Sequence, residues 1–234
     1  MVPVLCGFAI GGASAAGWLF LAAWLCAYPI GYYGGRALTA RVRRGAWTRL
    51  ARRELGRAAP WAVLTAAFGV PLAWTRPWLL LAAAVLSGIW AAGLWAASRW
   101  GERSMVNDLV LVAQAVLAVP LTVAIVAGPA ALGGSLRGVT ATCTALVALY
   151  LTGSVVHVKS LLRESGNVVF RRWDVGWHLL AAGLAALVDP WWLIGFVPAL
   201  IRAVVVRPGM RPGAIGGIEA VVSVLIVVAA FLAV

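Results

Sequence analysis

The residues able to do chemistry are few, and they fall into short groups. The first is Gly101–Asp108, GERSMVND, followed by Gln114. On a helix Arg103, Asn107 and Gln114 stand at i, i+4 and i+11, about 40° and then about 20° apart, so they share one face. A guanidinium and two amides on one face can hold an anionic group, with Glu102 and Asp108 beside them. The same stretch also reads as a plain helix start, Ser104 capping and Asp108 near the positive end of the dipole.

The second group closes a later apolar segment as Thr152–Ser160, TGSVVHVKS. Tyr150, Ser154 and His157 share one helix face, while Thr152 and Lys159 share another. His157 is expected near the interface, where an imidazole can titrate or donate to a phosphate; the alternative is a satisfied helix-end residue. In Trp173–Leu179, WDVGWHL, His178 follows Asp174 by four residues and can pair with it. Glu219 lies a turn inside the last apolar segment, where a carboxylate needs a cation, and Arg202 is its natural partner. That pair reads equally as a structural staple or as part of a polar cavity.

These groups must be positioned by membrane helices. The chain has 234 residues, 63% hydrophobic and only 11% charged, a composition that belongs in a bilayer. At about 20 residues per span, this length holds roughly eight or nine spans and no appended soluble domain. That excludes a secreted enzyme and a nucleic-acid-binding module. Nine apolar segments are expected: Val2–Ile10, Ser14–Tyr33, Ala59–Trp74, Trp78–Ala97, Leu109–Ala127, Val139–Val156, Val175–Val188, Trp191–Val206 and Ala214–Val234. Gly and Pro punctuate them, and small residues such as Gly88 and Ala92 would permit close helix contact. The first segment covers only about 14 Å. It reads as a re-entrant stub or as a first helix that has lost its start, and the second reading is favoured.

A net charge of +12 would suggest nucleic acid in a soluble protein, but here the basic residues sit at segment ends. Of the 19, all but Arg76 and Arg137 fall on one side of the alternating loops, which places the N-terminus in the cytoplasm and the C-terminus outside. The run from Arg36 to Arg57 can lie along an anionic leaflet. Trp61, Trp74, Trp78, Trp191 and Trp192 near segment ends fit an interfacial belt. Cys6, Cys26 and Cys143 lie inside apolar stretches and read as small core residues. No cleavable signal peptide is read at the N-terminus. Neither zinc nor haem is implied, the two His being isolated and neither of them expected to be clearly buried.

GERSMVND, TGSVVHVKSLLRE (Thr152–Glu164) and WDVGWHL, in this order among apolar helices, resemble the YwiC-like family of bacterial membrane proteins, over nearly the whole chain. The resemblance implies a multi-pass bundle and no particular reaction. Members begin with His-Gly-Ala-Trp before the first helix; here the chain starts at Met1-Val2-Pro3, and Gly45-Ala46-Trp47 is in another loop. A more distant likeness is to the UbiA superfamily of intramembrane prenyltransferases, with nine helices, N-terminus in and C-terminus out. Their two Asp-rich motifs, which hold Mg²⁺ against a prenyl diphosphate, are not matched: Tyr28–Arg36 has no acid, and Thr152–Leu161 carries His157 and Lys159 instead. What that likeness implies here is an acidic-lipid or diphosphate headgroup held directly by Arg36, Arg103 and Lys159.

The expected protein is thus an all-α polytopic bundle of about nine helices, one integral membrane domain over residues 1–234, in the plasma membrane. Its partners are membrane lipids and an isoprenoid or other anionic lipid. Its ligand-binding residues would be Arg36, Glu102, Arg103, Asn107, Asp108, Gln114, Ser154, His157, Lys159 and His178, without cofactor or metal and with no catalytic group assigned. A small permease or exporter, and an accessory membrane subunit, are the alternatives.

Overall fold

Helix boundaries here follow caps and prolines rather than the edges of apolar runs. The computed structural model describes residues 1–101, 104–134 and 136–234. Helix α1 (Val2–Gly11) is followed by α2 (Ala15–Arg44), which starts where Ser14 Oγ accepts from Gly17 N at 3.2 Å and stops at Gly45 in the left-handed region, φ 66°. α3 (Arg49–Thr75) starts at Thr48, which accepts from Ala51 N, and α4 (Leu79–Trp100) follows a turn at Pro77. α5 (Met105–Val116) starts at Ser104, whose hydroxyl accepts from Asn107 N at 3.2 Å. α6 (Ala118–Ala127), α7 (Arg137–Leu162), α8 (Val168–Val188, capped by Asn167), α9 (Leu193–Val205) and α10 (Pro212–Ala233) complete the chain. No strand occurs among the described residues.

Each expected apolar segment lies in a helix, yet several helices run past it. α2 continues ten residues or more beyond Tyr33, α3 begins before Ala59 and α8 before Val175, because Gly45, Thr48 and Asn167 are the terminating and capping residues and the intervening Arg are good helix formers. One apolar segment is split. Pro120 has no N–H for the Val116 carbonyl, and the helix breaks at Leu117 between α5 and α6.

Six helical stretches are long and apolar enough to cross a membrane: Ala15–Val42, α3, α4, Met105–Ala127, α7 and α10. Val2–Gly11 and Pro190–Val205 are shorter apolar helices. The chain is therefore a multi-pass, all-α membrane protein. At 30 residues α2 is about 45 Å long, more than the roughly 30 Å of a hydrocarbon core, so the basic ends of α2 and α3 reach past it. There Glu54, buried on α3, accepts from Arg57 Nη1 at 2.9 Å and lies 4.0 Å from Arg36 Nη1.

Short α1 sits at the centre. Cys6 is buried in one cluster with Val119 of α6, Cys143 and Val147 of α7, Phe196 of α9 and Ile226 of α10. α2–α4 form the periphery and expose Tyr28, Trp74 and Leu81. In lipid such exposure is no penalty, since acyl chains are as apolar as the side chains they replace. The apolar effect therefore does little to pull helices together, and close contact falls to small residues.

The position expected to serve that purpose, Gly88, does not: a Cβ there would meet nothing within 4 Å, because this face of α4 is open. The close approach is at Gly195 of α9, where a Cβ would stand 2.9 Å from Ile226 Cα of α10. That neighbour is backbone and cannot rotate aside. Gly195→Ala is therefore expected to destabilise the bundle by about 1–3 kcal/mol, while Gly88→Ala is neutral or slightly stabilising through helix propensity. Thermal unfolding of the two variants in the same detergent compares them; equal midpoints would contradict this packing.

Candidate functional site

The C-terminal half of α7 carries a polar face made by residues three or four apart: Tyr150, Gly153, Ser154, His157 and Ser160. It meets α8 on one side and α10 on the other. Gly153 makes the first approach possible, since a Cβ there would lie 3.0 Å from His178 Nε2 and 3.0 Å from Trp177 Cδ1. With α8 drawn this close, Trp177 Nε1 donates to the Leu149 carbonyl at 3.0 Å. The glycine of TGS and the Trp-His of WDVGWH are thus two halves of one contact.

Asp174 is the hub and has no exposed surface. His157 Nδ1 lies 2.9 Å from its Oδ2, Ser160 Oγ 2.7 Å from the same oxygen, and His178 Nδ1 3.2 Å from Oδ1. His178 Nδ1 is also 2.8 Å from the Asp174 backbone carbonyl one turn back. His157 and His178 are 1% and 3% exposed, with ring centroids 5.9 Å apart. The expectation that neither imidazole is clearly buried is corrected by this: α8 begins seven residues earlier than its apolar run and covers them.

The polar chain continues. Arg202 Nη2 of α9 faces His178 Nε2 at 3.5 Å, Arg202 Nη1 pairs with Glu219 of α10, and Glu219 Oε2 accepts from Ser154 Oγ of α7. Tyr150 and Ser223 hydroxyls bond at 2.7 Å. The Arg202–Glu219 pair is the one their positions suggested, and it links three helices. Arg171, at the start of α8, donates to the Val204 and Val206 carbonyls at 3.1 and 2.9 Å, closing the C-terminus of α9.

Lys159 lies on a different face of α7. Its Nζ is 2.7 Å from Asp108 Oδ2 of α5, the two side chains 11% and 24% exposed. GERSMVND and TGSVVHVKS therefore meet through an ion pair that is only partly dry. Asn107 and Gln114 turn the other way, toward α4: Asn107 Oδ1 would be 3.6 Å from a Cβ at Gly93, and Gln114 Nε2 donates to the Leu86 carbonyl at 3.5 Å. Arg36 belongs to the Glu54 cluster and its Nη1 donates to Tyr32 Oη at 3.2 Å. Glu102 and Arg103 lie outside the described residues.

Of the expected ligand residues, then, Ser154, His157 and His178 fall in one buried network, Asp108 and Lys159 in a second contact one face round, and Arg36 elsewhere. Asp174, Ser160, Arg202 and Glu219 complete the network and were absent from the expected set. Asp174 was legible as the i−4 partner of His178; Ser160, three residues from His157, carried no signal of its own.

An open, largely apolar groove of about 480 Å³ runs along α7 between Pro120 and Leu132 on one side and Thr140, Thr144 and Ala148 on the other, with Arg137 at its end. The Thr144 hydroxyl is satisfied by the Thr140 carbonyl at 2.6 Å, so it adds little polarity.

A buried ion pair that joins three helices is coupled rather than additive. Arg202→Met or Glu219→Gln alone leaves a buried charge without its partner and is expected to cost about 3–5 kcal/mol. The double variant Arg202→Met/Glu219→Gln should cost clearly less than the sum of the singles. A double-mutant cycle on unfolding in detergent measures this, and simple additivity would show that the pair does not act as one unit.

Comparison with known proteins agrees with the family resemblance over the N-terminal half, which holds one of its three motifs, GERSMVND. The family model described as YwiC-like protein matches residues 1–123, which takes in α1 to α5, GERSMVND and the break at Leu117. The protein described as "Uncharacterized protein YwiC" of Bacillus subtilis (strain 168) is 42% identical over 57 residues, 24% of this chain and 24% of that protein. The match thus covers about a quarter of that relative's length. No solved structure matches the chain. With more than half of its length matched, the chain belongs to the YwiC-like protein family.

Proposed function

We propose that this protein binds an amphipathic anionic lipid, of isoprenoid or lipid diphosphate type, from the cytoplasmic leaflet of the plasma membrane. Lys159 engages the headgroup and the adjoining face of α7 takes the chain. The observation that supports this is the alignment of charge and groove. Ala148 and Lys159 are eleven residues apart, about 20° in azimuth and about 16 Å along the helix, so the Lys159–Asp108 pair stands in line with the apolar groove. A partly desolvated ammonium favours a phosphate more than an exposed one does, because screening by water is reduced. A multiply charged headgroup can compete with the single carboxylate of Asp108 for it. Asn107, Arg103 and Glu102, adjacent in sequence, are assigned to the same rim.

The reaction class that goes with this reading is transfer or cyclisation of an isoprenoid, on a UbiA-like plan without Asp-rich motifs. A second reading, a small permease or exporter, is favoured by one separate observation. The ionisable groups from Asp174 through His178 and Arg202 to Glu219 form a continuous chain across α8, α9 and α10, and such chains in membrane bundles accompany ion pathways.

Native mass spectrometry of the purified full-length chain, titrated with farnesyl diphosphate and with a zwitterionic phospholipid, tests the lipid reading. Lys159→Gln is expected to weaken diphosphate binding by about 10–100-fold, the worth of one charge-assisted hydrogen bond. Ala148→Phe, which fills the groove, should weaken it too while sparing the retained fold. Binding unchanged in both variants, or no preference for the diphosphate over the zwitterionic lipid, rejects it.

A further inference from the structure

The partners in the buried network constrain where protons sit. Asp174 Oδ2 receives His157 Nδ1 at 2.9 Å and Ser160 Oγ at 2.7 Å, and Oδ1 faces His178 Nδ1 at 3.2 Å. A carboxyl is a stronger acid than an imidazolium, so the proton in the short His157–Asp174 contact is assigned to the ring, with Asp174 as the carboxylate; His178 Nδ1 stands near Oδ1 without a hydrogen bond to it. His178 Nδ1 also faces the Asp174 carbonyl, which can only accept, so this nitrogen carries a hydrogen. Its other nitrogen faces Arg202 Nη2, which can only donate, so Nε2 must present its lone pair. His178 is therefore neutral, with its hydrogen on Nδ1.

Charge then decides the state of His157. Arg202 is matched by Glu219, and Lys159 by Asp108. Among the groups described around it from α5, α7, α8, α9 and α10, those cations are each committed to another carboxylate. Arg171, at the start of α8, is turned to the end of α9. Asp174, without exposed surface, would stand as an unbalanced buried charge, which costs several kcal/mol. One further proton removes that imbalance, and His157 is the ring positioned to carry it.

We propose that His157 and Asp174 form a proton-binding site inside the bundle, His157 holding the proton as an imidazolium against the Asp174 carboxylate while Arg202 keeps His178 neutral. The proton comes from water and returns to it, and binding changes the network between a balanced and a negatively charged state. Ser160 completes the site by donating to Asp174 when the carboxylate is charged, and can turn instead to the His157 carbonyl, 2.8 Å away. The site stands whether or not a lipid occupies the rim at Lys159.

The chain has only two histidines, and both are in this network, so selective labelling reports on nothing else. The full-length protein, made without a polyhistidine tag and labelled with ¹³C,¹⁵N-histidine and ¹³C-aspartate, is reconstituted in phospholipid bilayers for solid-state NMR. At neutral pH one ring should show both nitrogens protonated and the other a neutral Nδ1–H form. Transfer between a ring nitrogen and the Asp174 backbone carbonyl carbon, whose oxygen is 2.8 Å from His178 Nδ1, identifies His178 without a variant. On raising pH, the imidazolium should lose its proton in a single step, with the Asp174 carboxyl shift moving alongside. Asp174→Asn should reduce the His157 imidazolium signal at the same pH by at least about tenfold, because its counter-charge is lost, and leave His178 unchanged. Two neutral rings throughout the range from acid to alkaline pH, or an imidazolium that belongs to His178, would overturn the proposal on the unmodified protein. So would an imidazolium that survives in Asp174→Asn.

Discussion

A carboxylate removed from water must be neutralised where it stands, and the arrangement of α7, α8, α9 and α10 follows from that requirement at Asp174. Buried without exposed surface, it cannot be compensated by solvent, so hydrogen bonds and countercharge have to come from neighbouring helices. Two imidazoles and a hydroxyl converge on its two oxygens. The second imidazole is in turn oriented by Arg202, and Arg202 by Glu219. Each member removes the need for water at the one before it. The chain ends at Ser154, back on the helix that supplied His157.

That closure sets helix register. Moving α7 by one residue relative to α8 would turn His157 away by about 100° and bring a larger residue to the position of Gly153. Lipid gives helices little apolar reason to prefer one register over another, so polar pairing and close backbone approach must supply the preference. The two kinds of contact coincide at Gly153, whose missing side chain leaves room for His178 and Trp177. α2 to α4, where the Glu54 cluster joins the basic ends of α2 and α3, lie on the periphery with open faces.

Class and architecture were legible because the bilayer imposes them on composition: the apolar segments read from the sequence are helical in the structure, one of them divided between α5 and α6. Boundaries were less legible. Hydropathy marks where the chain leaves hydrocarbon, while Gly45, Thr48 and Asn167 mark where hydrogen bonding stops or starts. The difference matters at α8, whose polar first turns carry Asp174 and cover the imidazoles that the apolar run alone would leave at the surface. Pairings at helical spacing, such as Asp174 with His178, could be read from one segment. Those between segments, such as Lys159 with Asp108, depend on which helices are neighbours, and a single sequence does not encode that in any local pattern. Asn107 and Asp108, adjacent in the chain, show the limit: consecutive helix positions point about 100° apart, and one faces α4 while the other faces α7.

A structural staple would not need this composition. An arginine against Asp174 would neutralise it permanently, as Arg202 does for Glu219, and apolar residues of equal volume often replace buried pairs at no cost to stability. Histidine is the side chain whose charge can change under ordinary conditions. Here it stands against the one buried carboxylate of the network with no permanent cation committed to it. Beside it are two pairs, Arg202–Glu219 and Lys159–Asp108, whose charge does not depend on a mobile proton. Fixed pairs on both sides of a titratable one give the bundle a constant frame, within which loss of a single proton alters the local charge by one unit and leaves the helices held in place.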